Sequence, residues 1–306
     1  MKHIYDMIII GGGPAGYSAA LYASRAGLDT LVIEKLSAGG QMALTGEIEN
    51  YPGFNEGIDG FTLGANMQSG AERFGAKTEY AEVTSLKLDT YPKEIITESK
   101  SYFSKTVVIA TGADPRPLGL QKEKELIGRG VHYCAHCDGR FYKNKTVAVV
   151  GGGNSAVADA LYLSRLAKKV YLIHRRDTLR ATKIYHEPLM KAENVEFIKD
   201  SIVTDIIALP RVSTITLQNV INKGKSSLDC DGLFISIGRQ PTTELVKDIL
   251  PLDENGYIIA DESTKTNIDG VYAVGDVRTK ALRQIVTAVA DGAIAVHYAE
   301  EYLSSI

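Results

Sequence analysis

The sequence has 306 residues, 44% hydrophobic and 23% charged, with 34 basic against 37 acidic side chains and a net charge of -3. That length suits two domains of ordinary size, and that balance excludes a global pull toward nucleic acid or an anionic membrane surface. Three cysteines exclude a secreted disulfide scaffold, and no signal peptide or membrane span fits, so the expected home is the reducing cytoplasm.

The first element is the apolar run at 4–10, which reads as a buried strand. It leads into "GGGPAG" (11–16), where Gly11, Gly13 and Gly16 fill G-x-G-x-x-G. A helix of small residues is expected to run to about Arg25, with Gly27 as its cap. A second strand, from Thr30 to Ile33, then ends at Glu34. Each part has a task in holding a dinucleotide. The first glycine permits the tight turn, the second lets backbone approach a pyrophosphate, and the third lets helix and strand pack closely. The helix N-terminus offers free N–H groups to phosphate, and Glu34 can accept from a ribose diol. Such a glycine motif alone is weak. Inside a complete strand–turn–helix–strand unit with the acid in place it is strong.

The following stretch, "SAGGQMALTGEIENYPGFNEGIDG" (37–60), is glycine-rich with few long apolar runs and reads as a loop-rich cofactor cradle. "KTVVIATGADPRP" (105–117) reads as a strand ending at Thr111-Gly112, followed by a proline-marked link. Next comes "VHYCAHCDGRFY" (131–142), with Cys134 and Cys137 two residues apart, His132 and His136 among them, and Asp138 behind.

The dinucleotide pattern then repeats in "TVAVVGGGNSAVADALYLSRLAKKVYLIHRRD", with Gly151, Gly153 and Ala156 at the fingerprint positions and Asn154 and Ser155 between them. The interval from Gly11 to Glu34 equals that from Gly151 to His174. The acid of the first unit is therefore His174 in the second, followed by Arg175 and Arg176. A carboxylate would repel a 2′-phosphate and a basic cluster would attract one, so this unit is expected to bind NADP(H). Arg180 joins the cluster if the segment is helical. Two such sites point to a flavin and a nicotinamide, since a hydride needs a donor and an acceptor.

"LFISIGRQPTT" (233–243) is another strand ending in a Gly and a Pro. With 105–117 it brackets the cysteines and the second fingerprint. This implies an α/β chain of two Rossmann-like, three-layer dinucleotide-binding domains: an NADPH domain at 114–241, inserted into an FAD domain formed by 1–113 and 242–306. In the last part a strand delivers Asp276 at its C-terminal end, and a long amphipathic helix runs from about Gln284 to Leu303. The N-terminus of that helix carries partial positive charge that can stabilise electron density on a reduced ring.

The cysteine pair has three readings. Zinc would use His132, Cys134, His136 and Cys137, but structural zinc sites draw on two separated pairs, no second pair exists, and the two histidines would crowd one turn. As a staple, CxxC closes almost the shortest loop available and adds little to folding. Such a bond is suited to being made and broken, which leaves electron transfer. Cys230, in the alternating "LDCDGLFIS", reads as an inert packed residue.

Taken together, "GGGPAG", "GGQ" (39–41), "ENYPG" (49–53), "ATG" (110–112), "CAHCDG" (134–139), "GGGNSA" (151–156), "HRRDTLRA" (174–181), "GD" (275–276) and "RQI" (283–285) resemble, in order and over nearly the whole chain, the bacterial low-molecular-weight thioredoxin reductases. The resemblance implies an FAD-containing homodimer that moves electrons from NADPH through FAD and a redox disulfide to thioredoxin. It assigns FAD to Gly11, Gly13, Pro14, Ala15, Gly16, Glu34, Lys35, Gly40, Gln41, Asn50, Thr111, Gly112, Gly275, Asp276, Arg283, Gln284 and Ile285. NADPH falls to Gly151, Gly153, Asn154, Ser155, Ala156, His174, Arg175, Arg176 and Arg180. Cys137 would face the flavin, Cys134 would attack the protein substrate, and Asp138 would act as the acid. His136 departs from the threonine of the best-known members. The resemblance also implies a rotation of the inserted domain about its links near 112–117 and 238–243, because disulfide and nicotinamide must take turns at one flavin. Two other enzyme readings change the acceptor to a glutaredoxin-like or peroxidase-linked protein, or the donor to ferredoxin. A non-catalytic NADP-sensing module is opposed by the CxxC with Asp138.

Overall fold

Alternation along the apolar run Ile4–Ile10 sends Met7 and Ile9 to one face of a sheet and Ile8 and Ile10 to the other. Both faces are covered, as parallel strands require. In the computed structural model, which describes residues 3–45 and 47–306, this strand pairs in parallel with Thr30–Glu34 on one side and Ser101–Ile109 on the other. Lys77–Tyr80 extends the sheet beyond Thr30–Glu34, and Val271–Ala273 pairs with the end of Ser101–Ile109. The strand Ser101–Ile109 begins earlier than the sequence pattern indicates. Its first half pairs antiparallel with Lys93–Thr97, which pairs in turn with Val83–Lys87.

The chain divides into two compact units, Met1–Asp114 with Gln240–Ile306, and Pro115–Arg239. The segments that pass between them, Ala113–Pro115 and Arg239–Pro241, pair with each other as a two-stranded ribbon.

In the first unit the helices Pro14–Arg25 and Ile285–Leu303 cover one face of the sheet through alanines, Tyr17 and Val296, which pack with Tyr272 of the strand Val271–Ala273. The other face is filled by Leu86, Leu88, Ile95, Val246, Leu250 and Ile258. The two helices approach closely because Gly292 has no side chain: a Cβ there would lie on the Ala15 carbonyl oxygen and 2.7 Å from the Ala19 nitrogen.

The second unit repeats the scheme. A five-stranded parallel sheet runs in the order Val131–His132, Gly232–Ile235, Thr146–Val150, Lys169–Ile173 and Val195–Ile198. Helix Asn154–Ser164 packs on Val147 and Val149. A three-stranded antiparallel sheet, Ser201–Ala208, Val212–Asn219 and Lys225–Asp229, covers Ala148 and Val150 on the other side. The residues expected as one strand over 233–243 form Gly232–Ile235 and, separately, Arg239–Pro241. Among the described residues no helix is long and apolar enough to cross a membrane.

Candidate functional sites

In the first unit, the Gly11 N–H donates to the Ile33 carbonyl at 2.9 Å and closes the turn after the first strand. A methyl on Gly16 would collide with the Gly11 carbonyl oxygen, which is why the third fingerprint position admits no side chain. Gly13 is the N-cap of helix Pro14–Arg25 and no side chain caps that end. A Cβ on Gly13 would meet nothing within 4 Å, so the helix N-terminus faces open space. Glu34 is buried at the end of its strand. Its carboxylate accepts from the Gly12 N–H at 2.6 Å and the Leu36 N–H at 2.9 Å, which fastens it beneath the loop. Lys35 turns outward into an exposed ion pair with Glu82 at 2.7 Å.

Candidates far apart in sequence gather around this loop. The Gly39 N–H donates to the Gly12 carbonyl at 2.8 Å, and Gly40 lies against Gly13. A Cβ on Gly11 would be 3.3 Å from the Thr111 nitrogen, and one on Gly275 would be 2.9 Å from the Ala15 Cβ. Thr111 and Gly112 bond to Thr242 through its carbonyl, 2.7 Å, and its N–H, 3.0 Å. Asn50 donates to Gln284 at 3.0 Å, and Gln41 donates to Asp114 at 2.6 Å. Arg283 donates to the Asp276 carbonyl at 3.3 Å and stacks 3.8 Å from the Tyr257 ring centre. Ile285, the first residue of the long helix, packs with Met42, Ile48 and Leu63. The cradle is thus built from short pieces, Gly40–Leu44, Glu47–Ile48 and Ile58–Asp59. Gly46 within it lies outside the described residues.

In the second unit the Gly151 N–H donates to Ile173 at 3.0 Å. Gly153 caps helix Asn154–Ser164 as Gly13 caps its counterpart, again with no capping side chain and nothing within 4 Å of an added Cβ. Ala156 is fully buried, while Asn154 and Ser155 are exposed and Asn154 accepts from the Thr182 N–H at 2.8 Å. His174 is buried in space left by Gly152, and its Nε2 has no hydrogen-bond partner. Burial, then the charges of Arg180, Arg175 and Arg176, hold its pKa below the ordinary imidazole value. All three arginines are exposed. The segment carrying Arg180 is not helical. Arg180 reaches the loop because its backbone N–H donates to the Gly152 carbonyl at 2.7 Å.

Cys134 and Cys137 form a disulfide, with their Cα atoms 5.3 Å apart, at the short helix Ala135–Asp138. The Cys137 N–H donates to Cys134 Sγ at 3.2 Å. Behind the pair, Asp138 Oδ2 lies 3.1 Å from His132 Nδ1, and His132 Nε2 lies 2.6 Å from the Tyr142 hydroxyl. Burial, and the nearby Asp138 charge, push the Tyr142 phenol up to about 12. His132 ends the strand Val131–His132, directly beside Phe234 in register, and its ring stacks on Phe234 with centroids 5.1 Å apart. His136 belongs elsewhere. It is 51% exposed, stacks on Tyr162 at 4.3 Å and lies 3.8 Å from Asp159. The two histidines, which a zinc site would have had to crowd into one turn, thus take separate partners. Burial raises the pKa of Asp159, which accepts from the Ser236 hydroxyl. Among the described residues no group of three or more His, Cys, Asp or Glu side chains is placed to hold a metal ion. Cys230 is buried, with its thiol pushed up to about 12 by burial and by Asp231 and Asp229. It sits between the strands Lys225–Asp229 and Gly232–Ile235 rather than on one.

Sequence reasoning missed the partners that support these side chains. Tyr142 and Phe234 carry no motif, and His132 was weighed only as a metal ligand. The buried set Asp291–Arg278–Lys280 was missed as well. Asp291 accepts from the Gly275 N–H and from Lys280, each at 2.8 Å, and from Arg278 at 2.8 and 2.9 Å. It thereby fixes the turn that carries Asp276. The only signal was an acid in the middle of an otherwise apolar helix face.

Two helix N-termini without capping side chains, each at a glycine whose added Cβ would meet nothing within 4 Å, suit two dinucleotides.

Residues 5–292 match the family described as pyridine nucleotide-disulphide oxidoreductase. A thioredoxin reductase of Listeria innocua is 47% identical over 306 residues, covering all of this chain and 96% of that one. A thioredoxin reductase of Bacillus subtilis is 45% identical, covering 98% and 96%. The crystal structure of thioredoxin reductase from Streptococcus pyogenes superposes with a TM-score of 0.93 at 45% identity over 100% of both chains. The chain belongs to the pyridine nucleotide-disulphide oxidoreductase family, and within it to the thioredoxin reductases.

Proposed function

We propose that this chain is an NADPH-dependent flavoprotein that reduces the disulfide of thioredoxin. The observation that carries the reading is the Cys134–Cys137 disulfide with Asp138 beside it, in the same unit as the fingerprint followed by His174, Arg175 and Arg176. When bound, NADPH supplies a hydride and FAD relays its two electrons to the disulfide.

The chain's own residues bind, orient and move protons. The loop Gly11–Gly16, Glu34, Asn50, Asp276 and Gln284 hold FAD. Gly151–Ala156 with Arg175, Arg176 and Arg180 hold NADPH, the arginines selecting it through the 2′-phosphate. Once the disulfide is open, the Cys134 thiolate attacks one sulfur of oxidised thioredoxin and displaces the other. Cys137 then attacks Cys134 Sγ, which releases reduced thioredoxin and restores the Cys134–Cys137 bond. Asp138 donates a proton to the Cys137 sulfur on opening and takes it back on closing. A short loop suits this cycle, because closing CxxC adds little chain-entropy stabilisation and so leaves the bond reducible. The protein is expected to act in the cytoplasm as a homodimer.

Stopped-flow mixing tests the reading. NADPH should bleach one tightly but non-covalently held FAD per chain, and a panel of oxidised thioredoxins should restore the absorbance. Extracted FMN, or reoxidation by none of the thioredoxins while a glutaredoxin-like protein succeeds, would replace the assignment.

A further inference from the structure

The mechanism above uses Asp138 but leaves unexplained the side chains behind it. His132 is 6% exposed and the Asp138 side chain 17%. The Asp138–His132–Tyr142 contacts form a continuous line, 3.1 Å and then 2.6 Å, that runs from beside the disulfide into the core of the unit. Sequence explains the placement. His132 is held by register beside Phe234. Tyr142 reaches the imidazole because residue 232 is glycine: a Cβ there would fall within 2.7 Å of the Tyr142 Cζ.

We propose that His132 is a positioning residue that acts through Asp138, presenting an N–H to the carboxylate and stabilising its charged form beside the disulfide. This rests on the disulfide-reductase reading and deepens it. A donor facing the carboxylate requires the tautomer in which the Tyr142 hydroxyl donates to His132 Nε2 and the imidazole donates from Nδ1 to Asp138 Oδ2. Opening Cys134–Cys137 breaks the S–S bond, takes two electrons from a reduced flavin and leaves two sulfur anions. One proton from Asp138 converts the Cys137 sulfur to a thiol, and the Cys134 sulfur remains the nucleophile. A half-buried carboxylate is a costly anion to leave there unless a donor faces it. His132 is that donor. At the inner end of the line, around Tyr142, stand Cys230, Asp231, Arg211 and, over the ring at 5.4 Å, Lys145.

The test reads thiols rather than turnover. The holoenzyme is reduced with a water-soluble phosphine, and Cys137 alkylation by iodoacetamide is followed by mass spectrometry across pH. In His132→Phe the carboxylate loses the donor that stabilises its charge, so less negative charge stands beside Cys137 to oppose thiolate formation. Alkylation under mildly acidic conditions should rise on the order of tenfold. On an Asp138→Asn background the same substitution should change nothing, because the group it acts through is gone. Tyr142→Phe, which removes only the hydroxyl and keeps the ring in place, should move the profile in the same direction by less. It carries the test if His132→Phe does not fold. An equal effect with and without Asp138 would mean that His132 merely packs. Unchanged profiles in both His132→Phe and Tyr142→Phe would also overturn the proposal. Failure of NADPH to reduce the wild-type protein would instead remove the functional reading and leave this comparison standing.

Discussion

On the proposed function, Arg175 and Arg176 are the residues on which a choice of NADPH over NADH would turn. Both are exposed and follow His174, which stands where the first unit has Glu34. Each is expected to contribute about 1.5 kcal/mol to a 2′-phosphate, the low end for charge-assisted contacts because solvent screens them. Replacing both by alanine should raise the KM for NADPH about 100-fold and leave NADH use almost unchanged. Equal losses with both nucleotides would make the pair structural. His174 beside them gives a pH signature. Its folded pKa lies below the ordinary value of 6.5 because burial, then Arg180, Arg175 and Arg176, oppose the cation. Below the ordinary value the unfolded chain therefore binds a proton that the folded chain refuses. Stability rises with pH through that window and falls as pH drops from 6.5 toward the folded value. Chemical denaturation of His174→Gln across that window should show a flatter acid limb than wild type; parallel limbs would contradict the assignment. The register that placed His174 opposite Glu34 was legible in the sequence because chain spacing is preserved in a duplication. Its burial was not, since it depends on the room that Gly152 leaves for the ring.

At the level of elements, sequence reasoning located the strands and helices of both fingerprints because their apolar periods and glycines are local signals. The strand Ser101–Ile109 was harder. Its first half, Ser101–Lys105, has no aliphatic run and is held as strand by pairing with Lys93–Thr97 on one side and with Ile4 and Tyr5 on the other, non-local causes. Helix against helix was equally invisible. Nothing local says that Gly292 of Ile285–Leu303 must be glycine, yet a methyl there would press on the backbone of Pro14–Arg25. Gly292→Ala should therefore lower unfolding free energy by about 1–3 kcal/mol through overpacking, despite alanine's better helix propensity. Gly70→Ala is the contrasting case. It lies in helix Gly60–Glu72 with nothing within 4 Å of an added Cβ, and should stabilise by about 0.5–1 kcal/mol. Denaturant titration of both variants reads the two signs. Stabilisation by Gly292→Ala would mean that the helices have slack at that point.

For the whole molecule, one dinucleotide-binding scheme is used twice, and the disulfide sits in the copy that carries His174, Arg175 and Arg176. The duplicated fingerprints and the CxxC made that division of labour readable from sequence. The division of labour between the cysteines was not, because both are half-buried at one short helix and differ only in what faces them. Single substitutions separate them. Cys137→Ser and Cys134→Ser each leave one thiol, so neither can complete a dithiol cycle, and thioredoxin reduction should fall by several orders of magnitude in both. Flavin absorbance should still drop rapidly on adding NADPH, because that hydride transfer involves no sulfur. Trapping then distinguishes the two. With Cys137 replaced, Cys134 can still attack an oxidised thioredoxin but nothing displaces it, so a mixed disulfide through Cys134 should accumulate and survive non-reducing electrophoresis. With Cys134 replaced, the remaining Cys137 thiol, which the proposed mechanism turns toward the flavin, should trap no thioredoxin. A mixed disulfide through Cys137 alone would reverse the two roles, and turnover persisting in both variants would eliminate the dithiol mechanism.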